Sequence, residues 1–339
     1  MPMFSIVLAT RDRPQLFRAA LESVLAQTMD DIEVIVVNDG SADEHRDAYG
    51  VVLAAAASRI GDRLKAHWLI RRPKGHGQSY SLNYGVAQAT GEFVCFLDDD
   101  DVWTDTGHLA RARQAIEAAG RDVGLPDLYM ANQRAYLRDE KLAGPIWIDT
   151  LAEEIAGRGV RPRSDGSFVV SIGDLMATHG FCHINCLTVR RSLYDAVGGM
   201  DEGIRWECDR DLFLRLIDRA GVMLHHPEVV SRHNVPDPAK SLNMTTAISM
   251  LEKRLLQVRV LDKAALFAGS ASIRAHGRRH KAFAMKKIAE ELARAGQWVS
   301  AAYYAREALG AAPTAKWLLF SAYCQWRRLI NGDKGKTEA

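Results

Sequence analysis

Long apolar runs, a disulfide-forming cysteine pattern and any strong excess of one charge are all missing from this chain of 339 residues. No apolar run approaches the roughly 20 residues of a membrane-spanning helix. The longest candidate, residues 317–326, runs straight into Arg327 and Arg328. The five cysteines (Cys95, Cys182, Cys186, Cys208, Cys324) are odd in number, scattered and mostly set in apolar stretches. That predicts reduced thiols and a cytoplasmic protein, not a disulfide framework. A formal net charge of +2 gives no case for a general nucleic-acid binder. Two glycine signatures are also absent: no G-x-G-x-x-G follows a strand, and there is no G-x-x-x-x-G-K-[ST]. Their absence argues against nicotinamide-dependent and P-loop ATPase chemistry. Residues 1–8 enter a strand directly, without a basic region or cleavage site, so no signal peptide is expected.

What is present is an alternation of strands and helices. The apolar fraction of 47% and charged fraction of 25% are those of an ordinary globular chain. Apolar runs at residues 4–10, 31–37, 66–71 and 93–97 read as strands, and helical spacing fills 14–27, 43–60 and 79–89. This pattern gives an α/β fold with a mostly parallel central sheet flanked by helices. Polar residues recur just past the strands: Thr10-Arg11-Asp12, Asn38-Asp39-Gly40-Ser41 and Asp98-Asp99-Asp100-Asp101. Ligands of open α/β sheets bind beyond the carboxyl ends of the strands, so these three clusters mark one candidate rim. In an extended chain residues i and i+2 point the same way, so Asp98 and Asp100 converge while Asp99 faces elsewhere. Asp101 precedes a helix expected over 102–119 and suits an N-cap. The acids alone leave a divalent-cation site and a solvated helix cap equally open.

Further on, 127–133 reads as a strand and 141–174 as an irregular region of weak periodicity. Residues 183–191 return to a strand pattern, and a short helix over 192–199 ends in glycine. Cys182, His183 and Cys186 are taken as packing residues. A helix over 206–216 carries Glu207, Asp209 and Asp211 at its start, where acids complement the helix dipole. Residues 229–234 form a strand ending near His233, and His225 and His226 flank a loop. From residue 244 the pattern is helical, with Ala295, Gly296, Trp298, Ala301, Ala308 and Pro313 at the spacing of one tetratricopeptide-like helix pair. Trp317, Phe320, Tyr323 and Trp326, with Arg327 and Arg328, leave peripheral membrane contact open as well as simple packing. Residues 334–339 read as a frayed tail.

The series Ser5 to Pro14, Val36 to Ser41, Gly77 to Gly85 and Phe96 to Asp101 resembles family 2 glycosyltransferases of the GT-A fold, in order and spacing, over about the first 110 residues. The resemblance implies an inverting, metal-dependent transferase that takes a nucleotide-diphosphate sugar, with a UDP-sugar as the first expectation. The acceptor would be a glycan, lipid-linked or protein hydroxyl, and surface polysaccharide or other glycan biosynthesis the setting. It implies nucleotide-sugar contacts for Ala9, Thr10, Arg11, Asp39, Gly77, Asn83, Asp98 and Asp99. Metal contacts to Mn²⁺ or Mg²⁺ fall to Asp98 and Asp100, with His233 as a third ligand. The helix at 206–216 resembles the family's E-D-x-D-L segment, which places Asp209 as catalytic base and Glu207 as its substitute, with Cys208 at the usual Glu. Other departures are Arg11-Asp12 where Tyr-Asn is common and Leu82 where Arg is usual. The implied organisation is a nucleotide-sugar half at 1–110, an acceptor and catalytic half at 111–240, and a helical extension at 241–339. A sugar-phosphate nucleotidyltransferase and a non-catalytic nucleotide-sugar scaffold stay open beside it. Residues 11–14 lack the glycine-rich loop of the first, and the Asp209 segment weighs against the second.

Overall fold

The computed structural model describes residues 1–137, 139–235 and 248–331. The expected boundary at 240/241 and the expected frayed tail at 334–339 lie outside the described residues. The chain divides into two compact units, Met1–Asp237 and Pro238–Ala339.

The first unit is built on one sheet of nine strands. β1 (Phe4–Thr10) lies between β2 (Ile32–Asn38) and β4 (Phe93–Phe96), and β3 (Leu64–Trp68) sits outside β2; all these neighbours run parallel. Phe4, Ile6, Val34, Ile35, Phe93 and Val94 are wholly buried, as continuous apolar strands covered on both faces must be. Three helices cover this half: α1 (Pro14–Leu25), α2 (Arg46–Ile60) and α3 (Gln78–Ala87). Pro14 opens α1, where its missing N–H costs nothing, and Phe17, Ala20, Leu21 and Val24 form its buried stripe. Leu82 lies on the buried face of α3 at 2% exposure.

β5 (Val102–Trp103) comes next, followed by α4 (His108–Asp122) and β6 (Leu128–Tyr136). The helix expected from residue 102 therefore starts six residues late, and Asp101 caps nothing. Val102 and Trp103 instead pair antiparallel with Arg232 and Ser231, a partner strand too distant in sequence for local periodicity to register. α5 (Leu151–Gly157), β7 (Phe168–Val169) and α6 (Ile172–Ala177) occupy the irregular region. A 3₁₀ turn at Ile184–Cys186 precedes β8 (Leu187–Arg190), which is antiparallel to β4 and β6. α7 (Arg191–Ala196), α8 (Cys208–Arg219) and β9 (Met223–Asn234) complete the unit. His225 and His226 are buried inside β9, which corrects the loop expected there. His225 pairs with Met130 of β6 and Phe168 of β7, and His226 follows it within the same strand.

The described part of the second unit holds four helices: Met250–Phe267, Ala271–Arg294, Trp298–Ala311 and Ala315–Asn331. Ser249 and Glu252 form a reciprocal capping box on the first. Ile288, Leu292, Trp298, Ala301, Ala305 and Trp317 are part of its own core.

Candidate active site

The ends of β1, β2 and β4 lie side by side, so their polar tails meet. Thr10 Oγ1 donates to Asp99 Oδ2 at 2.6 Å, and Asp39 N donates to Thr10 O at 2.9 Å. Arg11 spans the gap, donating to Asp39 O at 2.9 Å and Arg72 O at 2.7 Å. Asp39 is 7% exposed and accepts from His76 N (2.8 and 3.0 Å) and Gly77 N (3.0 Å). The loop ahead of α3 is thus pinned to the end of β2. Gly75 makes this possible: its φ is +66°, and a Cβ there would fall 2.4 Å from Asp39 Oδ2. Ala9 is half-buried in β1 beside these groups.

Beyond β4 the four acids divide sharply. Asp99 and Asp100 are both held by Arg13, which forms an ion pair with Asp99 and donates to Asp100 Oδ2 at 2.9 Å. Asp98 accepts from Gln78 Nε2 at 2.6 Å, at the start of α3. Asp101 is wholly buried and accepts from Asn185 Nδ2 (2.6 Å) and Asn234 N (2.8 Å), and it pairs with His233 Nδ1 at 2.7 Å. Asp98, Asp100 and Asp101 each offer an oxygen within 4.8 Å of the others. Burial, then the charges of Asp101 and Asp100, push the Asp98 carboxyl well above the usual range. Burial also raises Asp100, and it raises Asp99 to about 7 despite Arg13. Clustered oxygen donors that resist ionising together are what a hard divalent cation would relieve. The donor set fits such an ion.

His233, expected as a ligand, engages Asp101 through Nδ1. A histidine held this way by a carboxylate keeps Nε2 for a metal. Burial works against its charge, but the hydrogen bond to Asp101 wins and carries the imidazole up to about 9. His183 behaves oppositely: burial lowers it. Its Nε2 lies 3.9 Å from Asp98 Oδ2 and 3.6 Å from Asp209 Oδ2. Trp147 sets its ring edge-on to both imidazoles, at 5.4 and 5.3 Å.

α8 supplies the second group of acids. Glu207 precedes the helix with φ +61°, and its carboxylate pairs with Arg210 at 2.8 Å. Asp209 faces His183 and accepts from Arg210 N at 2.9 Å. Asp211 holds Arg215, at 2.9 Å to Nε, and Arg215 in turn clamps the carbonyls of Val197 and Gly199 at 2.9 and 2.6 Å. Asn83 is drawn to that same turn. Its amide donates to Met200 O (3.0 Å) and Glu202 (2.9 Å) and accepts from Tyr194 OH (2.7 Å) and Met200 N (2.8 Å). Its side chain is thus tied to the 194–202 segment.

Four contributors escaped sequence reasoning: Arg13, Gln78, His183 and Asn185. Arg13 had a usable signal, since four consecutive acids demand a nearby cation and it follows β1 within the same polar cluster. The sequence pattern groups His183 with Cys182 and Cys186 as packing residues. The two cysteines are indeed buried, with burial pushing both thiols up, but His183 turns toward the acids. Asn185 joins Asp98 N (2.9 Å) to Asp101, a contact across 87 residues that no local pattern carries.

Residues 5–161 match the sequence model described as Glycosyl transferase family 2. An uncharacterized glycosyltransferase of Nostoc sp. is 38% identical over 99 residues, 29% of this chain and 28% of the relative's own length. TarS of S. aureus in complex with UDP-GlcNAc superposes with a TM-score of 0.68 at 16% identity, over 96% of this chain and 88% of that one. A mannosyltransferase of Pyrobaculum calidifontis in complex with GDP-Man and Mn²⁺ gives 0.54 at 16% identity, over 97% and 81%. The matched segment and these likenesses agree: residues 5–161 are similar to family 2 glycosyltransferases, and the chain has the GT-A fold of these solved transferases.

Proposed function

We propose that this protein is a metal-dependent, inverting glycosyltransferase that moves a sugar from a nucleotide-diphosphate sugar, a UDP-sugar first, to an acceptor hydroxyl. Surface polysaccharide or other glycan assembly on the cytoplasmic side of a membrane is the proposed setting. One observation carries the reading. Asp98, at the end of β4, and Asp209, at the start of α8, flank a single imidazole nitrogen of His183 at 3.9 and 3.6 Å. A donor-binding acid and a candidate base from distant segments thus open on one space.

Asp98 and Asp100 would hold Mn²⁺ or Mg²⁺, with Nε2 of His233 as the third donor and Asp101 orienting that ring. When bound, the cation supplies positive charge against the departing diphosphate. Thr10, Arg11 and Asp39 would hold the nucleoside. An ionised carboxylate has about four lone-pair sites, so the amides of His76 and Gly77 leave Asp39 room for one further donor. Asp209 takes the proton of the acceptor hydroxyl as its oxygen bonds to the anomeric carbon. The bond from that carbon to the phosphate oxygen breaks, and its electron pair leaves with the nucleoside diphosphate. Attack from the opposite face gives inversion. Glu207, tied to Arg210, is the weaker candidate for base.

The test is release of free nucleoside diphosphate from UDP-GlcNAc, UDP-Glc, UDP-Gal and GDP-Man, with Mn²⁺ or Mg²⁺ and with excess EDTA. Release from at least one donor, lost in EDTA, is expected. Cation-dependent binding with no turnover on any donor and acceptor would favour the scaffold. Consumption of nucleoside triphosphate with release of pyrophosphate would favour the nucleotidyltransferase.

A further inference from the structure

The near-neutral chain conceals two oppositely charged units. Residues 238–339 carry 18 Lys and Arg against 7 Asp and Glu, +11, while residues 1–237 carry 26 against 35, −9. A basic field of that size on one unit points to an anionic partner.

The last helix, Ala315–Asn331, adds an apolar face. Trp317 and Cys324 are buried in the helical core, and Trp317 Nε1 donates to Ala305 O at 2.9 Å. Phe320 packs against the same core, whereas the other large apolar side chains point outward: Leu318 is 57% exposed, Leu319 72%, Tyr323 41%, Trp326 55%, Leu329 84% and Ile330 60%. Leu319, Tyr323, Trp326 and Ile330 recur at i, i+4, i+7 and i+11, one continuous stripe of a helix. Lys316 and Arg328 are exposed on the same helix. Cation–aromatic pairs continue the theme on neighbouring helices: Lys287 over the half-exposed Phe283 at 5.6 Å, and Arg306 over Tyr303 at 5.9 Å. Long basic side chains laid along aromatic and aliphatic surface suit a boundary that is apolar on one side and anionic on the other. Among the described residues no helix is long and apolar enough to cross a membrane, so the helix would lie in the interface.

We infer that the helical unit docks on an anionic lipid surface, with the exposed stripe of Ala315–Asn331 entering the headgroup region and the surrounding Lys and Arg meeting lipid phosphates. A second copy of the chain is a poorer occupant, because a symmetric contact through this helix sets +11 against +11. A nucleic acid would answer the charge and leave Leu319, Leu329 and Ile330 in water.

Flotation of the full chain with phosphatidylglycerol/phosphatidylcholine vesicles, against pure phosphatidylcholine, tests this without any sugar donor, so its outcome is separate from that of the transferase reading. Binding that requires phosphatidylglycerol is expected, weakened at least tenfold by Trp326→Ser with Leu329→Ser, and similarly by Lys316→Glu with Arg328→Glu. All four positions are surface residues, and unchanged helical circular dichroism would show that the variants fold. Equal recovery of the wild-type chain with and without phosphatidylglycerol overturns the proposal. So does loss of binding in the charge variant alone, which marks a general polyanion site. A dimer in gel filtration that the Trp326/Leu329 variant dissociates would give the stripe to a second copy and overturn it equally.

Discussion

Asp209 and Glu207 are two residues apart, yet the fold gives them different work. Asp209 faces the imidazole of His183, whereas Glu207 sits in a left-handed turn and is neutralised by Arg210. Asp209→Asn is therefore expected to lower nucleoside diphosphate release 10²-fold or more, the range set by general-base catalysis, with donor affinity kept. Glu207→Gln should lose less than tenfold, and the reverse ranking would move the base to Glu207. A second prediction concerns Glu33, buried in β2. It accepts from Ser5 Oγ (2.6 Å), Thr90 N (2.6 Å) and Thr90 Oγ1 (2.8 Å), with Lys65 Nζ at 2.6 Å. Burial pushes its carboxyl up, but Lys65, Ser5 and Thr90 together draw it down to about 2. A folded value below the unfolded one means the stabilisation is complete above about pH 4.5 and lost as pH falls toward 2. Glu33→Gln should cost about 2 kcal/mol at pH 7, measured by urea unfolding, with the gap to wild type closing between pH 4.5 and 2. A gap of the same size at both ends would assign the loss to packing alone.

At the scale of elements, α3 carries the site's weight. Its start brings Gly77 to Asp39 and Gln78 to Asp98, and its last turn lies directly on the sheet at Gly85. A Cβ on Gly85 would stand 2.4 Å from Val7 Cγ1 and 3.2 Å from Val37 Cγ2. Gly85→Ala should destabilise by about 1–3 kcal/mol, the ordinary cost of overpacking, and raise the donor KM as the helix start shifts. Adding Val7→Ala should recover part of both losses in thermal melts and kinetics; no recovery would mean the strain lies elsewhere. The β4 and α8 segments were legible because each combines an apolar run with a polar end. The start of the helix placed at 102–119 was not, because Val102 and Trp103 pair with Arg232 and Ser231 and Trp103 N donates to Ser23 Oγ at 3.0 Å, partners far beyond any sequence window.

For the whole molecule, the division into Met1–Asp237 and Pro238–Ala339 has a thermodynamic consequence. Units with separate cores need not unfold as one cooperative system, and a ligand stabilises only the unit that binds it. Saturating UDP with Mn²⁺ at about 100 times its Kd should add about 2.7 kcal/mol to the transition of the first unit. Calorimetry should show that transition rise by a few degrees while the helical one stays in place. A single transition moving as a whole would show the two units to be thermodynamically coupled.

Strand and helix order and the polar tails of β1, β2 and β4 were legible in the sequence, because periodicity and post-strand polarity are local properties of the chain; the roles proposed for Asp98, Asp100 and Asp209 come from the family resemblance. The partners of those residues were not legible there. Arg13 on Asp99 and Asp100, His183 between Asp98 and Asp209, Asn185 and His233 on Asp101, and Asn83 on Met200 are contacts across tens to more than a hundred residues. Burial raises the carboxyls of Asp98, Asp99 and Asp100, and burial exists only once the chain has folded over them.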